Sequence, residues 1–97
     1  MAKKGYWVVC YKSVSDQAAL SEYMKLASPA LQKLGGTVIL GGKPAQTYEA
    51  GLDQLAVVVE FENLEKALAA YESEVYRPAL KALGSGAERD FRIVEGR

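Results

Sequence analysis

The patterned part of the chain opens with an unbroken run, Tyr6–Tyr11, of six apolar or aromatic residues inside Gly5–Lys12. Such β-branched and aromatic side chains suit a pleated surface. With no polar alternation, both faces of this strand are expected to be covered. The period then changes: Leu20, Tyr23, Met24, Ala27, Leu31 and Leu34 recur at spacings of three and four, which makes one apolar helical stripe. Ser15 or Asp16 supplies the cap. Pro29 interrupts the stripe, since it offers no N–H to the Lys25 carbonyl and its ring crowds that turn. A kink is expected there, or a second helical piece capped by Ser28 with Pro29 at its first position. Gly35-Gly36 ends the helix.

Thr37–Leu40 reads as a short strand and Gly41-Gly42 as a turn or bulge. Pro44 argues against a central strand position just after it, so Ala45–Glu49 could only continue the strand at an edge. Leu55–Phe61 is the clearest strand, apolar on both faces except at Glu60. Asn63 caps a helix carrying Leu64, Ala67, Leu68 and Tyr71 on one face, with Glu65 near the positive end of its dipole. Ser73–Tyr76 breaks it, and Pro78 starts a short helix running to Leu83. Gly84-Ser85-Gly86 is a loop before a last strand, Phe91–Glu95.

The order is strand–helix–strand–strand–helix–strand. Two right-handed crossovers of this length give an α+β, ferredoxin-like βαββαβ domain: a four-stranded antiparallel sheet with two main helices on one face. One domain accounts for all 97 residues. The first and third strands come out central, and these are the two strands that read as apolar on both faces. Helices cover only one face, so something must cover the other. The chain has no spare element for it, and a second copy packed sheet to sheet is the simplest answer.

Composition narrows the function classes. Twelve Lys and Arg balance twelve Asp and Glu, so there is no basic excess for nucleic acid. An RNA-recognition module of this fold would show a basic residue and exposed aromatics in the third strand, where this chain has Leu-Ala-Val-Val-Val-Glu-Phe. No run approaches membrane-spanning length, and the first apolar stretch is too short for a signal peptide. One cysteine and no histidine exclude an internal disulfide, and they remove the commonest zinc ligand and the usual neutral-pH base. A cytoplasmic protein without a metal or cofactor is expected. Gly84-Ser85-Gly86 follows a helix instead of opening one, so it carries no phosphate-loop signal.

Several short stretches together resemble the DUF1330 family. They are Lys4-Gly5-Tyr6-Trp7, Glu22-Tyr23, Gly35-Gly36, Gly41-Gly42-Lys43, Val58-Val59-Glu60-Phe61 with Leu64-Glu65, Ser73 with Tyr76, and Ile93-Val94-Glu95-Gly96. The resemblance spans nearly the whole chain. It implies a dimeric α+β barrel in which two ferredoxin-like sheets face one another, and it implies no particular activity. Where members often carry Ser-Pro-Glu-Tyr, this chain has Ser73-Glu74-Val75-Tyr76.

Glu60 is the first candidate for chemistry, because a carboxylate in an apolar strand must be hydrogen-bonded, paired or raised in pKa. On the face of Ala56 and Val58 it would point between two sheets. Arg92 is the natural partner across the first strand, about 10 Å away from two strand spacings, most of which an arginine can reach. The pair reads either as a polar anchor in a ligand cavity or as an ion pair that fixes dimer register. Cys10 is expected to be buried and inert. Tyr23 and Tyr71 face the sheet as core, whereas Tyr48 and Tyr76 lie in less regular segments that could border a pocket. The candidate ligand-binding residues are therefore Glu60, Arg92, Tyr48, Tyr76 and Cys10. Three functions remain open: a small-molecule-binding dimeric barrel, a cofactor-free enzyme of oxygenase or isomerase type, and a structural or protein-interaction module. The enzyme reading rests on fold-level analogy.

Overall fold

The computed structural model describes residues 3–97. Its elements are β1 (Gly5–Val14), α1 (Gln17–Lys33), β2 (Thr37–Gly42), β3 (Ala56–Phe61), α2 (Leu64–Tyr71), α3 (Arg77–Leu83) and β4 (Ala87–Glu95). Every pairing is antiparallel and the sheet order is β2-β3-β1-β4, with β1 and β3 central as the two doubly apolar runs require. Asp16 caps α1 by accepting from the Ala19 N–H at 3.1 Å, and Asn63 caps α2 by accepting from Lys66 at 2.9 Å. Gly35 ends α1 with φ 81, a left-handed conformation that costs glycine little.

The two-residue period sorts the sheet into two faces. Trp7, Val9 and Tyr11 of β1, Val59 and Phe61 of β3, and the half-buried Phe91 and Ile93 of β4 turn toward the helices and form the core. Trp7 stands at its centre, 1 % exposed. Its indole N–H donates to the Ala67 carbonyl of α2 at 2.8 Å. Its ring lies 5.0–5.1 Å from those of Phe61, Tyr76 and Phe91, in the tilted geometries that aromatic quadrupoles favour. The opposite face carries Tyr6, Val8, Cys10, Ala56, Val58, Glu60, Asp90, Arg92 and Val94, and among the described residues no helix covers it.

Three local expectations are corrected. α1 runs unbroken through Pro29. Lys25 and Pro29 are both exposed, so water can satisfy the carbonyl that proline leaves free. The segment Ala45–Glu49 is loop, since the pairing of β2 with β3 stops at Gly42 and Ala56. β4 starts at Ala87, well before Phe91, because β1 extends to Val14 and offers the polar stretch Ala87–Asp90 a partner strand. A register shift between Tyr11 and Ser13 accommodates the extension.

α2 begins almost on top of β1. A Cβ on Gly5 would stand 2.6 Å from the Asn63 carbonyl oxygen and 2.8 Å from the Leu64 Cα, both backbone atoms that cannot rotate away. Gly5→Ala should therefore destabilise the fold by about 1–3 kcal/mol. The urea midpoint checks it, and an unchanged midpoint would mean that α2 does not seat this closely.

Candidate functional site

α2 packs directly on β1 and β4, whereas the closest backbone approaches of α1 are to α3. Under α1, toward β2 and β3, this leaves a cleft of about 340 Å³. That size is in the range of small-molecule sites. Trp7, Val9, Val57 and Val59 form its floor, and Tyr23, Ala27 and Leu31 of α1 form its roof. The exposed residues Met24 and Ser28 of α1 and Val38 and Gly41 of β2 stand at its mouth.

One charge interrupts the apolar lining. The register that sets Tyr11 opposite Arg89 turns both toward the helices, and the Arg89 guanidinium closes one end of the cleft. It lies 5.0 Å from the Tyr23 ring centroid, 5.1 Å from Phe91 and 5.7 Å from Tyr11, within cation–π range of all three. Its hydrogen bond within the chain runs from Nη1 to the Tyr23 hydroxyl, 3.1 Å. Tyr23 is in turn hydrogen-bonded to the Tyr76 hydroxyl. Among the described residues the ion pairs involve other groups, and none neutralises Arg89. Burial disfavours its charge, but the Tyr23 and Tyr76 oxygens outweigh that and hold its pKa above the ordinary arginine value.

Burial pushes the phenols of Tyr76 and Tyr11 above the ordinary tyrosine value; at Tyr76 the adjacent Tyr23 adds to it, and at Tyr11 the Arg89 charge partly offsets it. The polar end of the cleft thus sets one cation beside the Tyr11 and Tyr76 phenols, both of which keep their protons at neutral pH. Tyr76 reaches it through a tight turn. The Ser73 hydroxyl donates to the Ala70 carbonyl at 2.8 Å and accepts the Tyr76 N–H at 3.2 Å, which rolls Tyr76 fully into the core. Glu74 and Val75, where this chain departs from Ser-Pro-Glu-Tyr, are exposed.

Of the five candidate ligand-binding residues, only Tyr76 takes part in this cluster, joined by Tyr23, which the sequence placed in the core. Glu60 lies half-buried on the open sheet face and accepts a hydrogen bond from the Tyr6 hydroxyl at 3.0 Å, which raises the Tyr6 pKa. The expected Glu60–Arg92 pair is not formed. The register sets Glu60 beside Tyr6 and Arg92 beside Val8, and Asp90 lies nearer, two residues back on the same face. Arg92 grips Asp90 with both ends of its fork, 2.9 and 3.1 Å, and these bonds hold the Asp90 carboxyl below its ordinary range. Cys10 is exposed on that open face, not buried. It meets Tyr48, 77 % exposed, around a second hollow of about 490 Å³ under the 43–55 loop. Arg89 was missed because Ala87–Asp90 is too polar to read as a strand. The available signal was its alternation with Phe91 and Ile93.

The sequence matches the model of the DUF1330 family, a domain of unknown function, over residues 4–97. The chain belongs to that family. No curated protein matches it. Among solved structures, a protein of unknown function from Rhodopseudomonas palustris is similar at TM-score 0.77 and 13% identity, covering 100% of this chain and 85% of that one. SnoaB, a cofactor-independent oxygenase from Streptomyces nogalater, is similar at TM-score 0.67 and 12% identity, with 99% and 95% covered. A dimeric protein of unknown function and ferredoxin-like fold from Bacteroides fragilis is similar at TM-score 0.61 and 15% identity, with 95% of each chain covered. At these identities the likeness shows that this DUF1330 chain shares their fold.

The raised Tyr76 pKa makes folding proton-linked at high pH. The folded state holds the phenol proton more tightly than the unfolded chain does. The contribution is therefore full below the unfolded value near pH 10 and is lost as pH rises from there toward the folded one. Tyr76→Phe should cost about 1 kcal/mol at neutral pH through the lost hydrogen bond. It should also shrink the loss of stability between about pH 8 and pH 11. Urea midpoints of both proteins at the two pH values test this.

Proposed function

We propose that this DUF1330 protein binds a small, largely apolar molecule in the cleft beneath α1, and that it works as a cytoplasmic homodimer. The observation that carries the ligand reading is the cleft itself, a hollow of about 340 Å³ with apolar walls and one cation at its end. A hollow of that kind in a small core forgoes packing contacts, which a ligand would restore. Binding is favoured over catalysis because, among the described residues, no carboxylate or histidine lines the cleft, and burial makes the Tyr11 phenol hold its proton too tightly to serve as a base near neutral pH. The lone cysteine suits a reducing compartment. Among the described residues, no helix is long and apolar enough to cross a membrane.

The homodimer reading rests on the open sheet face. Val8 and Val58 lie side by side at its middle, flanked by Leu40 and Arg92, with Tyr6, Cys10, Ala56 and Val94 around them. Leu40 and Val94 are about half exposed. A second copy set sheet to sheet would remove these residues from water, and the fold is shared with a Bacteroides fragilis protein described as dimeric. Glu60 and the Asp90–Arg92 pair would then lie in or at the rim of the joint.

Two measurements test these readings. Light scattering coupled to size exclusion should give about 21 kDa, twice the 10.5 kDa chain. Val8→Glu should shift this to the monomer mass by placing a charge in the middle of the joint. Wild-type protein eluting as a clean monomer at micromolar concentration would sink the dimer. A thermal-shift screen of small aromatic and aliphatic metabolites should find ligands that stabilise the protein, by about 2.7 kcal/mol at a hundred times Kd. Met24→Trp, which plugs the mouth from an exposed position, should abolish those shifts. A broad library without a single stabilising compound would favour a structural or protein-interaction module.

A further inference from the structure

We infer that the ligand of the cleft is a planar, singly charged acid whose carboxylate docks on Arg89; this rests on the ligand-cleft reading and names the chemical class that reading leaves open. A guanidinium half-buried at the end of an apolar cleft is expected to meet an anion. The other arginine of β4, Arg92, which lies on the opposite face of the sheet, meets one in Asp90 although it stands in solvent. Arg89, at the end of an apolar cleft, meets aromatic faces and the Tyr23 hydroxyl, and no carboxylate among the described residues pairs with it.

The fork supplies the recognition. Nη1 donates to Tyr23, which anchors the guanidinium plane; no other hydrogen bond of this side chain forms among the described residues, so its further N–H groups remain to meet a carboxylate. The charge count limits the ligand to one negative charge. No lysine or second arginine lines the cleft, so a phosphate near −2 would be left half neutralised in an apolar site. The walls set the rest of the shape. Trp7, Tyr11 and Tyr23 present ring surfaces, and 340 Å³ holds about a dozen groups at a water's share of volume. A fused pair of rings bearing one carboxylate fits that space.

The test compares 2-naphthoate with 2-naphthamide, which has the same rings and no charge, by isothermal titration calorimetry on the full-length protein. Wild type should bind the acid about tenfold or more tightly than the amide, as a charged hydrogen-bonded contact requires. Arg89→Met, which keeps the stem and removes the charge, should bring the two affinities together while amide binding persists. Met24→Trp should abolish binding of both and serves if Arg89→Met does not fold. Equal affinities in wild type would overturn the acid and leave the cleft reading intact. A preference that survives Arg89→Met, or acid binding that survives Met24→Trp, would place the anion elsewhere and overturn it as well. Failure of both probes to bind would remove the cleft reading and the inference together.

Discussion

The buried indole of Trp7 is the contact on which the other packing depends. It sits on the central strand β1, fills the middle of the helix face, and ties that face to α2 through its hydrogen bond to the Ala67 carbonyl. Phe61 of β3, Phe91 of β4, Tyr71 of α2 and Tyr76 from the turn before α3 all pack their rings against it. These side chains come from most of the chain's length, so the cluster forms only when the sheet and both following helices bring them together. α1 is the one long element that this cluster does not draw onto the sheet, which is why the cleft opens beneath it and not beneath α2.

Alternation along β4 then separates two arginines that are only three residues apart. Arg92 faces the open side of the sheet, is gripped by Asp90 and stays in solvent, where such a pair adds little to stability. Arg89 faces the helices, half-buried, with its guanidinium against three aromatic rings. The same residue type is thus a surface ion pair on one face and an unneutralised charge on the other. The strand's parity and the β1–β4 register decide which is which.

The Ser73–Tyr76 turn explains how the chain tolerates its departure from the family's Ser-Pro-Glu-Tyr pattern. The two residues shared with Ser-Pro-Glu-Tyr carry the structural work: Ser73 closes the turn with two hydrogen bonds, and Tyr76 joins the core and the Tyr23–Arg89 chain. Glu74 and Val75 point outward, where substitution costs little. A motif read as four positions is physically a motif of two.

The sequence by itself determined the element order, the two central strands, the cap at Asn63, and the uncovered sheet face. All of these follow from short-range periodicity and from backbone chemistry that a linear string records directly. The choice of Asp16 over Ser15 as the first cap came from the structure. Nor did the sequence determine what meets across strands. Glu60 and Arg92 looked like partners because each was a charge near the same distance from β1, yet register, set by the whole sheet, gave Glu60 to Tyr6 and Arg92 to Asp90. Arg89 stayed hidden because Ala87–Asp90 becomes a strand only when β1 runs on to Val14 beside it. The cleft was invisible for the same reason: it is the space left where α1 leans on α3, and only the packed chain defines such a space.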